Sequence, residues 1–174
     1  APTAADVVVT PAAPVKADTL SLTYTYADED GDSEQGTTIA WLKNGVEQPA
    51  LANAPRVPAP LVKGDSWEAR VTPNDGALAG TPVTSAAVVV GNTAPAITRL
   101  DDVASPATGA TTPITWTIAA SDVDGDALTY SCSLDGTVIG TGATQSSSFA
   151  VGTYTITCTV SDGTDSTTDD LTVA

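Results

Sequence analysis

The chain has 174 residues, with six Lys and Arg against 21 Asp and Glu, no His, and a formal net charge of −15. That balance excludes nucleic acid and anionic lipid as partners, since both call for a basic stripe and the sequence has none. It also leaves no Ser–His or Cys–His couple and no imidazole metal centre, and no apolar run reaches the length of a membrane-inserted span.

Abundant Thr, Val, Ser and Gly together with twelve prolines disfavour helix and predict strands throughout. The length suits two domains of ordinary size, and the scarcity of aromatic residues predicts a thin core in each. Leu20, Leu22, Tyr24 and Tyr26 form one face of the first clear strand, with Ser21, Thr23 and Thr25 on the other. On that pattern Tyr24 and Tyr26 are expected in the core. An acidic loop follows, Asp28-Glu29-Asp30-Gly31-Asp32. Next comes a strand from Thr37 to Lys43, closed by Asn44-Gly45, a dipeptide that tolerates positive φ at both positions of a two-residue hairpin. The prolines between Pro49 and Pro60 confine any strand there to a sheet edge. Trp67, Ala69 and Val71 mark a core strand, and Val83 to Val90 the last strand of this half. The polar turn Gly91-Asn92-Thr93-Ala94-Pro95 marks a boundary, giving domains 1–92 and 93–174.

The second half runs in the same order. Ile114, Trp116, Ile118 and Ala120 share a face, and a second acidic loop follows at Asp122-Val123-Asp124-Gly125-Asp126. Leu128, Tyr130, Cys132 and Leu134 then lead to the turn Asp135-Gly136. Phe149 sits on a weaker strand, before Tyr154, Ile156, Cys158 and Val160. The turn Ser161-Asp162-Gly163 precedes Leu171 and Val173. Four landmarks therefore repeat at an offset of about 90 residues: Ala-Pro at 1 and 94, the acidic loops, the hairpin dipeptides, and Asn74-Asp75-Gly76 against Ser161-Asp162-Gly163. This is a duplication of whole domains. Seven or so short strands per half read as an all-β chain of two tandem immunoglobulin-like β-sandwich domains arranged end to end.

Each acidic loop gathers three carboxylates around one Gly, the donor set of a hard cation: Asp28, Asp30 and Asp32 in the first, Asp122, Asp124 and Asp126 in the second. Ca²⁺ takes six to eight oxygens in a flexible cage, which closely spaced carboxylates and carbonyls supply. An EF-hand is excluded, because its Gly would stand two places later and its bidentate Glu position holds Ser133. Asp and Gly also make ordinary solvated turns, and that alternative stays beside the metal reading. The two cysteines, Cys132 and Cys158, favour a disulfide and an oxidising compartment; otherwise they are buried thiols serving as small apolar residues. Trp41, Trp67 and Trp116 lie on inward faces and read as core rather than as a sugar platform.

The second half resembles the bacterial and archaeal Ig-like repeats related to polycystic-kidney-disease (PKD) and cadherin-like domains. Asn92-Thr93-Ala94-Pro95 is similar to the family's Asn-x-x-Pro opening, Asp122 to Asp126 to its Asp-x-Asp-Gly-Asp loop, and Gly152 to Gly163 to its Gly-x-Tyr strand ending in Asp-Gly. The first half departs more, with Trp67 where the family's Tyr would stand. The resemblance implies that Trp41 packs between Leu22 and Ala69, and that Cys132, at the matching third-strand position, bonds Cys158 on the neighbouring sixth strand within one sheet. It also implies that Asn92, the Asp122 loop and Asp162 or Asp165 converge at one end of the second sandwich, at its junction with the first, where an ion would stiffen the hinge. The Asp28 loop lacks the preceding Asn and is expected to need oxygens from a preceding domain.

The resulting expectation is a non-catalytic extracellular or cell-surface module, a calcium-stiffened Ig-like spacer or adhesive stalk. Its partners would be neighbouring Ig-like domains or identical subunits, or surface glycans or proteins. Alternatives are a subunit of a polymeric filament, pilus or sheath, and an accessory carbohydrate-binding module of a secreted enzyme. Both ends of the sequence coincide with repeat boundaries, so flanking domains are expected.

Overall fold

A computed structural model describes residues 1–105 and 112–174. Its contacts divide the chain into two compact units, Ala1–Gly91 and Asn92–Ala174. Each is an all-β sandwich of two sheets.

In unit 1 one sheet has the order β1-β2-β5 and the other β4-β3-β6-β7, with β8 also pairing β6. The strands are β1 (Thr3–Thr10), β2 (Leu20–Ala27), β3 (Thr38–Lys43), β4 (Val46–Glu47), β5 (Arg56–Val57), β6 (Ser66–Thr72), β7 (Val83–Thr84) and β8 (Val88–Val89). The alternation in β6 decides its orientation: Trp67, Ala69 and Val71 are buried, while Ser66, Glu68, Arg70 and Thr72 are only partly covered. The proline-rich stretch forms one 3-10 turn at Pro49–Leu51 and the two-residue edge strand β5 against β2. Trp41 is fully buried opposite Ala69, with Leu22 packed on the same cluster, and its indole N–H donates to the Ala54 carbonyl at 2.9 Å. That bond satisfies the one polar atom of a side chain whose burial contributes several kcal/mol on an area basis.

Two expectations for unit 1 change. The strand expected over Val83 to Val90 splits into β7 and β8 at Ser85, whose backbone N–H still donates to the Ala69 carbonyl at 2.9 Å while its side chain takes the return bond. Its hydroxyl accepts the Ala69 N–H at 3.1 Å and donates to the Ala86 carbonyl at 2.9 Å, so a buried side chain takes a backbone partner's place. Tyr24 and Tyr26 share the face of Leu20 but are only half-buried. Their hydroxyls reach outward, Tyr24 to Glu34 Oε1 at 2.8 Å and Tyr26 to the Asp32 carbonyl at 3.3 Å. A phenol needs a hydrogen-bond partner, and the acidic loop supplies it at the rim.

Unit 2 has sheets β13-β10-β9 and β12-β11-β14-β15. Its strands are β9 (Ala96–Leu100), β10 (Thr112–Ser121), β11 (Thr129–Leu134), β12 (Thr137–Thr141), β13 (Thr144–Phe149), β14 (Tyr154–Ser161) and β15 (Ser166–Val173). Ile156, Cys158 and Val160 on β14 and Leu171 and Val173 on β15 are buried against Trp116, Ile118 and Phe149 of the facing sheet. In both units a two-residue turn joins the third and fourth strands, with positive φ at Asn44 and Gly45 and again at Asp135 and Gly136.

Cys132 and Cys158 face each other across the β11–β14 ladder and are joined by a disulfide, the only cysteine pair of the chain. Its place in the ladder matches Trp41 opposite Ala69 in unit 1. The bond therefore staples one sheet. Trp116 crosses from the facing sheet, and its indole N–H donates to Cys132 Sγ at 3.3 Å.

Candidate metal centre

The second acidic loop leaves β10 at Ser121 and must turn back toward β11 within a few residues. Asp122 closes that turn itself: its Oδ1 accepts the backbone N–H groups of Asp124, Gly125 and Asp126 at 2.8, 3.0 and 3.2 Å. Gly125 has φ +87, the left-handed region that a side chain would strain. With Oδ1 so occupied, Asp122 Oδ2 is buried and makes no hydrogen bond.

Asp124 is held from the other side. The Thr93 backbone N–H donates to its Oδ2 at 2.7 Å, whereas its Oδ1 is buried without a hydrogen-bond partner. Carboxylate oxygens of Asp122, Asp124 and Asp126 lie within 4.8 Å of one another, the one such acidic group among the described residues. Beside it, Asn92 Nδ2 donates to Asp162 Oδ2 and Asp165 Oδ2, each at 2.8 Å. Asp162 Oδ1 in turn accepts the N–H groups of Thr164 and Asp165 at 2.7 Å, shaping the β14–β15 turn. Five carboxylates thus surround the dipeptide Asn92-Thr93. The only cationic side chain of unit 2, Arg99, is engaged with Asp101 at 2.5 Å.

Two buried carboxylate oxygens without hydrogen bonds, in a unit with ten Asp and one cation, form an electrostatic deficit. Burying anionic charge unpaired is costly, and a divalent cation relieves it. The donors are all hard oxygens, which fits Ca²⁺ better than a soft or imidazole-seeking metal. Asp122 Oδ2, Asp124 Oδ1 and the Asp126 carboxylate are the groups that would hold it.

The first loop repeats the turn but not the gathering. Asp28 Oδ1 accepts the N–H of Asp30 at 2.9 Å and of Asp32 at 3.4 Å, and the Gly31 N–H reaches the Asp28 carbonyl at 3.3 Å. The Asp28 side chain is 1% exposed, and its Oδ2 makes no hydrogen bond; the Ala1 α-ammonium stands 3.7 Å away, close enough to pair electrostatically but beyond hydrogen-bond reach. Asp30 and Asp32, however, are exposed and do not join Asp28 in a close carboxylate group. Two phenols stand near this loop, and both are shifted. Burial and the Glu34 carboxylate push the Tyr24 hydroxyl up to about 12. The Tyr26 hydroxyl is raised by desolvation and by the negative charges of Asp28, Asp75, Glu34 and Asp32.

Trp41, Trp67 and Trp116 are at most 6% exposed, so none offers a face to a sugar. No helix among the described residues is long and apolar enough to cross a membrane.

No family profile matches the chain, and no curated protein matches it. Among solved structures, a two-domain fibronectin type III segment of chicken tenascin aligns with a TM-score of 0.46 at 12% identity, covering 98% of each chain. Three N-terminal domains of the Hoc outer capsid protein of bacteriophage RB49 align at 0.43 and 18% identity, over 99% of this chain and 59% of that one. Fibronectin(III)-like modules of Clostridium thermocellum CbhA give 0.38 and 15%, over 96% and 92%. At these scores the likenesses carry no argument, and the sandwich is read from the strands above.

Proposed function

We propose that the chain is a non-catalytic structural segment of an extracellular protein, a pair of Ig-like sandwiches acting as a spacer. In this reading Ca²⁺ at Asp122, Asp124 and Asp126 fixes the incoming segment of unit 2. The observation that carries it is the state of Asp124: one oxygen takes the Thr93 backbone N–H while the other is buried with no hydrogen bond, beside the equally bare Asp122 Oδ2. An ion held by those two oxygens would tie Asn92-Thr93 to the loop between β10 and β11. Neutralising the cluster would also lower the repulsion with Asp162 and Asp165. Restricting a lead-in segment is what a spacer requires, because the stiffness of a multi-domain chain is set where its domains are joined. The disulfide supports an oxidising location. The chain has no His, and its three Trp are buried in the cores, which supports the non-catalytic reading.

Titration calorimetry on chelator-stripped protein tests the reading. Ca²⁺ should bind with a dissociation constant in the range of about 10⁻⁴ to 10⁻³ M expected of extracellular modules, and Asp124→Ala should abolish the heat. Absence of heat at millimolar-range Ca²⁺, or an unchanged isotherm in Asp124→Ala, refutes it.

A further inference from the structure

Asn44 occupies a position where a change of one functional group would reverse the sign of an interaction. It is the first residue of the β3–β4 turn, and its side chain binds the start of β6 at both ends. Nδ2 donates to Asp65 Oδ1 at 2.9 Å, and Oδ1 accepts the Ser66 N–H at 2.8 Å. Its backbone N–H reaches the Ser66 carbonyl at 2.8 Å as well. Asp65 is otherwise compensated by Lys43, whose Nζ lies 2.8 Å from Oδ2. The residue that follows is Gly45, whose amide nitrogen carries no neighbouring side chain to hinder attack on the Asn44 carboxamide.

We propose that Asn44-Gly45 is a self-modification site gated by the fold. While unit 1 is folded, the carboxamide is committed to its two bonds with the Asp65-Ser66 segment. When the turn opens, the Gly45 nitrogen attacks Asn44 Cγ, the Cγ–Nδ2 bond breaks, and ammonia leaves with the proton lost by the Gly45 amide. Water then opens the cyclic imide at either carbonyl, leaving aspartate or isoaspartate at position 44. Either product destroys the donor that Asp65 used and sets a carboxylate against a carboxylate, with Lys43 the single cation between them. Isoaspartate also adds a backbone atom to a two-residue turn whose positive φ values, 52° and 77°, fit only the original chain length. The change therefore accumulates irreversibly with the time the turn spends open. Unit 2 carries Asp135-Gly136 in the same turn and has no amide to lose.

Peptide mass mapping of the full chain, incubated at mildly alkaline pH with and without urea, provides the test. Conversion at Asn44 should be at least about tenfold slower in the folded protein, because it proceeds only through the open fraction. Equal rates in the two conditions overturn the gating. Asp65→Ser, which releases Nδ2, should speed conversion in buffer; if that variant does not fold, the wild-type comparison still decides. Material aged in urea and refolded should show a lowered midpoint for unit 1 and an unchanged midpoint for unit 2. An unchanged unit 1 midpoint overturns the claim that the product cannot rebuild the turn.

Discussion

Removing the Cys132–Cys158 bond is expected to separate the stabilities of the two units. The bond closes a loop with a sequence separation of 26. For a loop of that length the chain-entropy treatment gives about 3.5 kcal/mol of stabilisation through the unfolded state. A domain the size of unit 2 has a total stability on the order of 4–12 kcal/mol, so the bond is a large fraction of it. Cys132→Ala with Cys158→Ala also removes the sulfur that accepts the Trp116 N–H, adding on the order of 1 kcal/mol. At roughly 4–8 °C per kcal/mol for a domain this size, a loss of about 4.5 kcal/mol should lower the melting point of unit 2 by about 18–36 °C. Calorimetry of the full chain should resolve this as one transition moving away from another, because unit 1 contains no cysteine. Two transitions shifting together would refute the independence of the units. A shift of unit 2 below roughly 1 kcal/mol would refute the loop-entropy account, since it would mean that the unfolded loop is already constrained.

Further outcomes follow from the same contacts. If Ca²⁺ binds as proposed, free ion at a hundredfold excess over its dissociation constant should stabilise unit 2 by about 2.7 kcal/mol and leave the unit 1 transition in place, as scanning calorimetry with and without chelator can read. Gly125→Ala, which forces a side chain to φ +87, should cost unit 2 about 1 kcal/mol and weaken that response. In an ultraviolet titration one tyrosine, Tyr24, should ionise near 12, and Glu34→Gln should lower it. Its folded value lies above the unfolded one near 10, so its contribution to stability is complete below pH 10 and is lost as the pH rises toward 12. Trp116 fluorescence should rise when the disulfide is removed, because the excited indole stands against an electron-accepting sulfur 3.3 Å away; an unchanged yield would contradict that contact.

The elements legible in the sequence are those whose signal is local. Alternation identified the inward faces of β6 and β14, Asn-Gly and Asp-Gly identified the two tight turns, and strand order in a sandwich brought Cys132 to Cys158. The approach of Asn92 to Asp162 and Asp165 was also foreseeable, because the topology brings those loops to one end. The grip of Thr93 on Asp124 was not: its donor is a backbone N–H, which every residue but proline carries and no residue code reveals. The break at Ser85 was hidden for a related reason, since a Ser in an apolar run reads as tolerated when it is replacing a ladder bond. The difference between the acidic loops was equally invisible. Both close on the first Asp, and only the three-dimensional course of the chain decides whether the next carboxylates turn inward, as Asp124 and Asp126 do, or outward, as Asp30 and Asp32 do.

The two units meet one structural demand by different means, and their charge explains the difference. Unit 1 fills the centre of its β3–β6 ladder with Trp41 over Ala69 and carries five of the six cationic side chains, several of them paired internally, as Lys43 is with Asp65 and Arg70 with Glu47. Unit 2 has ten carboxylates and one cation, and places a covalent bond where unit 1 places a large ring. Self-repulsion among ten acids opposes the compact state. It is countered by constraining the unfolded chain, which a disulfide does, or by supplying positive charge from outside, which the bare oxygens of Asp122 and Asp124 invite. Unit 2 should therefore respond to reductant and to chelator in an additive way, because the disulfide acts on the unfolded chain and the ion on the folded one.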